Sequence, residues 1–205
     1  MKLVKTSLFF CLAALLTSSI FANGTDCQVV AKPVKYVKPD IKGFDKYFNV
    51  RFGTYTVMVP PGFDKVATMM NSGVIVITYP NNALLMISSN TLSQDSRFKG
   101  VDTTQYPNIL YTKTSCDKPP TDKAHLDLWN LAMTNKALLF TDSTKMMVTK
   151  SDQLTYYISD NQVEDLLGDA HVVDKDLKND YLLMTARGFT YTEFRNIVLN
   201  ITNWK

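Results

Sequence analysis

Two short runs of β-forming residues around a polar turn constrain the fold more than any other feature of this chain. Residues 73–79 (GVIVITY) are almost all β-branched or aromatic, and residues 83–89 (ALLMISS) form a second apolar run. Pro80, Asn81 and Asn82 separate the two runs, and residues of this kind favour tight turns. The pattern predicts a β-hairpin and therefore an antiparallel sheet.

The N-terminus has the pattern of an export signal. Lys2 and Lys5 precede an uncharged stretch, residues 7–21, which ends at the small residue Ala22. This order of a basic region, an apolar region and a small residue is typical of a cleaved signal peptide. We therefore predict a signal peptide over 1–22 and a periplasmic or secreted protein. An uncleaved anchor is the alternative, but the apolar run is short for a membrane-spanning helix.

Cleavage after Ala22 would leave two cysteines, Cys27 and Cys116, because Cys11 lies in the leader. Disulfides form readily in exported proteins, and two cysteines allow one intramolecular pairing. The sequence thus predicts a Cys27–Cys116 disulfide. The mature chain would carry 20 basic and 19 acidic residues, and the basic ones are scattered. We expect no nucleic-acid partner, because such binding requires clustered positive charge.

The rest of the pattern predicts an α+β domain, a mainly antiparallel sheet packed by helices. Residues 23–46 contain Pro33 and Pro39 and read as an extended arm, followed by a single domain over 47–205. Thr121 is the predicted cap of a helix to about residue 135. Thr190 and Glu193 have the spacing of a capping box that begins a C-terminal helix. Further predictions are a strand over 51–59, a surface excursion over 93–111, strands at 138–140, 145–149, 154–159, 171–173 and 181–186, and a helical turn at 163–167.

Three of these segments resemble one known family. The stretches FGTYTVMVPPGF, GVIVITYPNNALLMISS and YLLMTARGFTYTEFRNIVLNI are similar in layout to Mog1/PsbP-like domains. The resemblance implies an α/β/α sandwich that opens with a hairpin, ends on a packed helix and serves mainly in protein binding. It carries no functional residue over to this chain.

No pattern of catalytic or metal-binding residues is present. His125 lies on a predicted helix near Asp122, which is typical of a solvated histidine. His171 and Asp169 alternate on a predicted strand and therefore share a face. A metal site needs three or four converging ligands, and no such spacing occurs here, so we predict no metal and no cofactor and interpret His171 as a structural or surface residue.

The favoured function is an exported, non-catalytic protein that binds or assists another protein of a bacterial cell envelope. Exposed aromatic residues are suited to recognition, and the candidate binding residues are Tyr106, Tyr111 and Tyr157. One alternative is a secreted hydrolase with a dispersed Asp and His site. Another is a small-ligand or lipid carrier lined by methionines at positions 69, 70, 146 and 147. Asn23 and Asn200 begin Asn-x-Thr sequons.

Overall fold

The computed structural model describes residues 27, 30–41, 46–69, 73–160 and 168–204. These residues form three α-helices, which are α1 (Gln105–Thr112), α2 (Lys123–Leu139) and α3 (Tyr191–Leu199). They also form eleven strands, which are β1 (Lys32–Pro33), β2 (Phe48–Phe52), β3 (Tyr55–Val59), β4 (Lys65–Met69), β5 (Val74–Thr78), β6 (Leu84–Ser89), β7 (Lys145–Lys150), β8 (Leu154–Asp160), β9 (Gly168–Asp174), β10 (Leu182–Arg187) and β11 (Thr202–Asn203). The α+β class is confirmed. The predicted signal peptide and the helical turn at 163–167 lie outside the described residues.

The strands form one large and one small sheet. The large sheet has the order β1, β7, β8, β9, β10, β6, β5, β4, and the small sheet has the order β11, β3, β2. Every pairing is antiparallel except that of β1 with β7. Strands β9 and β10 therefore lie in the middle of the large sheet.

The hairpin predicted from the sequence is present as β5 and β6. Val74 faces Ser88 and Thr78 faces Leu84 across the pair. Asn81 and Asn82 both have φ of 61° in the turn, a left-handed conformation that asparagine tolerates better than most residues. The turn chemistry and the strand pattern thus agree.

The middle strands of the large sheet bury both of their faces, in two separate cores. Alternate residues of β8, β9 and β10 pack against α3 and the small sheet, as Tyr156, Val172 and Met184 do. The residues between them face α1 and α2, where Tyr111, Leu128 and Trp129 form a second core. Side chains one position apart on a strand point to opposite faces, which is why one strand supplies both cores.

Both predicted helix starts have a cap, but one cap residue differs from the prediction. Thr190 and Glu193 form the capping box of α3 as predicted. Helix α2 is capped by Asp122, not Thr121, and it continues to Leu139. The strand predicted at 138–140 is therefore wrong, because the helix extends over its apolar residues.

Two further predictions are corrected by local backbone geometry. Residues 51–59 are not one strand, because Gly53, with φ of 56°, turns the chain between β2 and β3. The excursion over 93–111 contains α1, in which Pro107 occupies the third position. A proline there costs no helical hydrogen bond, because the first four N–H groups of a helix have no partner within it. Strand β4 was not predicted.

The N-terminal arm is attached to the domain in two ways. Strand β1 runs parallel to β7, and the Cys27 and Cys116 sulfur atoms lie 1.98 Å apart, which is disulfide distance. The Asn200 side chain, in the second sequon, is only 1% exposed, and its Nδ2 donates to the Asn196 carbonyl oxygen.

Within the described residues, no helix is long and apolar enough to cross a membrane.

Candidate functional site

A partly open cavity of about 340 Å³ lies on the α1 side of the large sheet. Its walls come from β9, β10, α1, the end of α2 and the segment that follows β6. Ligand sites for small molecules generally have volumes from about 300 Å³ upward, so this cavity reaches the lower end of that range. It is the candidate functional site.

The strand register decides which side chains face the cavity. Asp169 and His171 lie on the cavity side of β9, whereas Ala170 and Val172 belong to the opposite core. Across the pair, Thr185 of β10 faces Asp169 and Leu183 faces His171. The prediction that Asp169 and His171 share a face is confirmed.

His171 is buried among tyrosine rings. It is 4% exposed, and its ring centroid lies 6.0 Å from that of Tyr106, 5.6 Å from Tyr111 and 5.5 Å from Tyr181. Its Nδ1 has no hydrogen-bond partner among the described residues. Burial lowers the pKa of the His171 imidazole to about 3, so the ring is neutral at ordinary pH.

Asp169 is the acidic group of the cavity wall. Burial raises the pKa of its carboxyl to about 6, while a hydrogen bond from Thr185 and one from the Ala170 N–H act in the opposite direction. The Thr185 hydroxyl donates to Asp169 Oδ1 over 3.1 Å. No lysine, arginine or histidine forms an ion pair with Asp169 within the part of the chain described. Near neutral pH the described part of the cavity therefore holds a carboxylate that has no counter-charge among these residues.

The three candidate binding tyrosines are placed differently from the expectation. Tyr106, Tyr111 and Tyr157 are 6%, 0% and 6% exposed, so the expectation of exposed recognition side chains is wrong. Helix α1 buries both of its tyrosines, Tyr106 and Tyr111, against the sheet, and Tyr157 packs on Tyr111 with ring centroids 5.5 Å apart. Tyr106 alone of the three lines the cavity, where its hydroxyl accepts a hydrogen bond of 2.7 Å from Asn135.

Other predicted site residues are not brought together. His125 is a partly exposed residue at the start of α2, with its Nδ1 2.6 Å from Asp122 Oδ1, as expected of a solvated helix histidine. Met146 and Met147 point into different cores, because they are neighbours on β7. Met70 lies outside the described residues. The predicted methionine lining is therefore not the lining of this cavity.

The sequence did not indicate the residues that form the cavity rim. Asn90 is buried there, and its Nδ2 donates to Thr103 Oγ1 over 2.9 Å while its Oδ1 accepts from the Leu92 N–H. Tyr181 completes the aromatic wall, and its ring is nearly parallel to that of Tyr106. The sequence signal for Asn90 is limited to its position directly after the predicted strand at 83–89. Within the described residues, no group of three or more His, Cys, Asp or Glu side chains is placed to hold a metal ion.

Comparison with known proteins gives no relative: no family model, curated protein or solved structure matches the chain. The Mog1/PsbP-like layout therefore stays a prediction from the sequence. Function has to be argued from the cavity itself.

Proposed function

We propose that this chain is an exported, non-catalytic binding protein that holds a small ligand in the cavity beside β9 and β10. The observation that carries the proposal is a cavity of ligand size whose wall contains a buried imidazole with an unpartnered Nδ1. Ligand sites combine mostly apolar walls with a few polar groups, and Leu92, Leu110 and Leu183 provide apolar wall here.

Export is the second part of the proposal. Its support is the signal-peptide pattern at the N-terminus and a cysteine pair at disulfide distance. Both features support the proposal of a periplasmic or secreted location.

Binding has more support than hydrolysis. A hydrolytic histidine normally hydrogen-bonds to a carboxylate that orients it, and no such bond joins His171 to an acid of the described residues. Its low pKa also makes the imidazole a weak base near neutral pH.

The test is to fill the cavity without changing the rest of the surface. Replacing Leu183 with Trp places a large ring in the cavity wall, and Leu138→Trp makes the same change at a side chain that is 70% exposed. A ligand that binds the folded state raises the melting temperature. We expect compounds from a diverse small-molecule library to raise the melting temperature of the wild type and Leu138→Trp but not of Leu183→Trp. Equal responses of both variants, or no responding compound, would contradict the proposal.

A second candidate function is binding of a partner protein through the small sheet. Phe48 and Trp204 are 51% and 53% exposed, and the Arg51 guanidinium lies 4.3 Å from the centre of a Trp204 ring. Tryptophan and arginine are enriched among residues that dominate protein interfaces. Replacing Phe48 and Trp204 with Ala should release a partner that co-purifies from the cell envelope, whereas Leu138→Ala should retain it. A partner held equally by both variants would exclude this surface.

A further inference from the structure

The charge inside the cavity indicates which ligands it suits. No lysine or arginine lines the cavity among the described residues, and its histidine is neutral. Asp169 is the acidic side chain of the wall, and its described partners are a neutral hydroxyl and a backbone N–H. A carboxylate in apolar surroundings without a counter-charge is unfavourable, so a ligand that brings a positive charge would relieve that cost.

The aromatic wall favours the same kind of ligand. Tyr106 and Tyr181 both line the cavity with His171, and their ring centroids lie 6.4 Å apart with almost parallel planes. Ring faces attract cations, and sites for quaternary ammonium groups are commonly built from such rings. Burial raises the pKa values of both tyrosines, and the nearby charge of Asp169 raises them further. Asp169, Tyr106 and Tyr181 therefore border the same region of the cavity.

We propose that the cavity binds an organic ammonium ion. Its positive group lies against the Asp169 carboxylate and the rings of Tyr106 and Tyr181, and its alkyl part contacts the leucine side chains of the wall. This inference rests on the proposed function, because it specifies the ligand of the same cavity. An anionic ligand would meet the Asp169 charge without a basic side chain among the described cavity residues to offset it.

Among the titratable groups that the structure describes around the cavity, Asp169 is the one that we expect to make binding depend on pH. The described titratable groups that face it are Tyr106 and Tyr111 from α1, Tyr181 before β10, and His171 on its own strand. Thr185 from β10 donates to the Asp169 carboxylate and Ser159 from β8 donates to the Asp169 backbone carbonyl oxygen, and neither hydroxyl titrates. The tyrosines have raised pKa values and the histidine has a low one, so all four are neutral between pH 5 and pH 8. The Asp169 carboxyl, with a pKa of about 6, changes charge within that range.

The experiment compares a cation with its neutral isostere. Choline and 3,3-dimethylbutan-1-ol have the same shape, and only choline is charged. Calorimetric titration of the disulfide-bonded protein at pH 7.5 should show choline binding about tenfold more tightly than the alcohol. At pH 5.0 choline affinity should fall by about fivefold, because a carboxyl with a pKa near 6 is then only about one-tenth ionised and the uncharged cavity binds choline no better than the alcohol, whereas the alcohol should bind unchanged.

Asp169→Asn should remove both the preference for choline and its dependence on pH. The matched control is Asp142→Asn, which makes the same change at an exposed position after α2 and should behave like the wild type. Should Asp169→Asn fail to fold, the pH comparison on the wild type still decides the matter.

The possible failures separate the two proposals. Equal or tighter binding of the alcohol, or a choline affinity that does not change with pH, overturns the ammonium inference and leaves the ligand cavity standing. Absence of binding by both compounds also overturns the inference. Absence of any responding compound in the library test overturns the proposed function as well.

Discussion

At the scale of single residues, burial moves an acid and a base of the cavity wall towards their uncharged forms. Asp169 and His171 are two positions apart on β9, and burial favours the uncharged form of each. It raises the pKa of the carboxyl and lowers that of the imidazole. The same wall can therefore be almost uncharged in mild acid and negative at neutral pH, with only one side chain responsible.

Among the described glycines, Gly168 has the least room for a side chain. A Cβ atom at this position would lie 2.4 Å from a carbon of the Phe194 ring, and Phe194 is only 1% exposed. We expect Gly168→Ala to lower the free energy of unfolding by about 1–3 kcal/mol, because overpacking a core forces its side chains to shift. Urea denaturation measures this change.

The control for Gly168 is a double-mutant cycle. In a Phe194→Leu background the same Gly168→Ala change should cost less, because the aromatic ring that it meets is gone. An identical cost in both backgrounds would show that the strain has another origin.

At the scale of elements, a buried lysine joins the two helices that cover the sheet. Lys136 of α2 is 2% exposed, and its Nζ donates to the carbonyl oxygen of Lys113, the C-cap residue that follows α1. Cations are favoured at the C-terminal end of a helix. Burial nevertheless lowers the Lys136 pKa to about 8, although Asp117 acts in the opposite direction.

This lowered pKa makes stability depend on pH. Between pH 8 and about pH 10.5 the unfolded chain holds the Lys136 proton more tightly than the folded chain, so the free energy of unfolding should rise with pH there. We expect the wild type to gain stability relative to Lys136→Met between pH 7.5 and pH 9.5, as measured by urea denaturation. Lys123→Met, at the exposed start of α2, should follow the wild type. Parallel profiles for the wild type and Lys136→Met would contradict the prediction.

Local patterns predicted the elements whose causes are local. The β5–β6 hairpin follows from its turn residues, and the start of α3 follows from Thr190 and Glu193. Helix α1 was missed because Pro107 reads as a breaker unless its position within the helix is known. The turn between β2 and β3 depends on the single residue Gly53.

At the scale of the whole molecule, the cavity is a tertiary product. Its walls come from segments that span Ser89 to Thr185, and no local pattern indicates that they meet. The alternation on β9 predicted that Asp169 and His171 share a face, but not that α1 would place Tyr106 beside them. The expectation that the three candidate tyrosines are exposed is wrong for the same reason. Helix α1, which covers this face of the sheet, was not predicted.

The short strand β1 also bears on how such molecules meet one another. Val34 donates its N–H to Val148 of β7, so by alternation the backbone nitrogen of Pro33 faces away from the sheet. Proline has no N–H to offer an incoming strand, and edge prolines of this kind discourage aggregation through strand addition. The opposite edge, β4, has no proline and presents Val66 at 47% exposure beside the charged Lys65. A strand added at β1 would therefore meet a proline, whereas one added at β4 would meet backbone N–H groups beside the charge of Lys65.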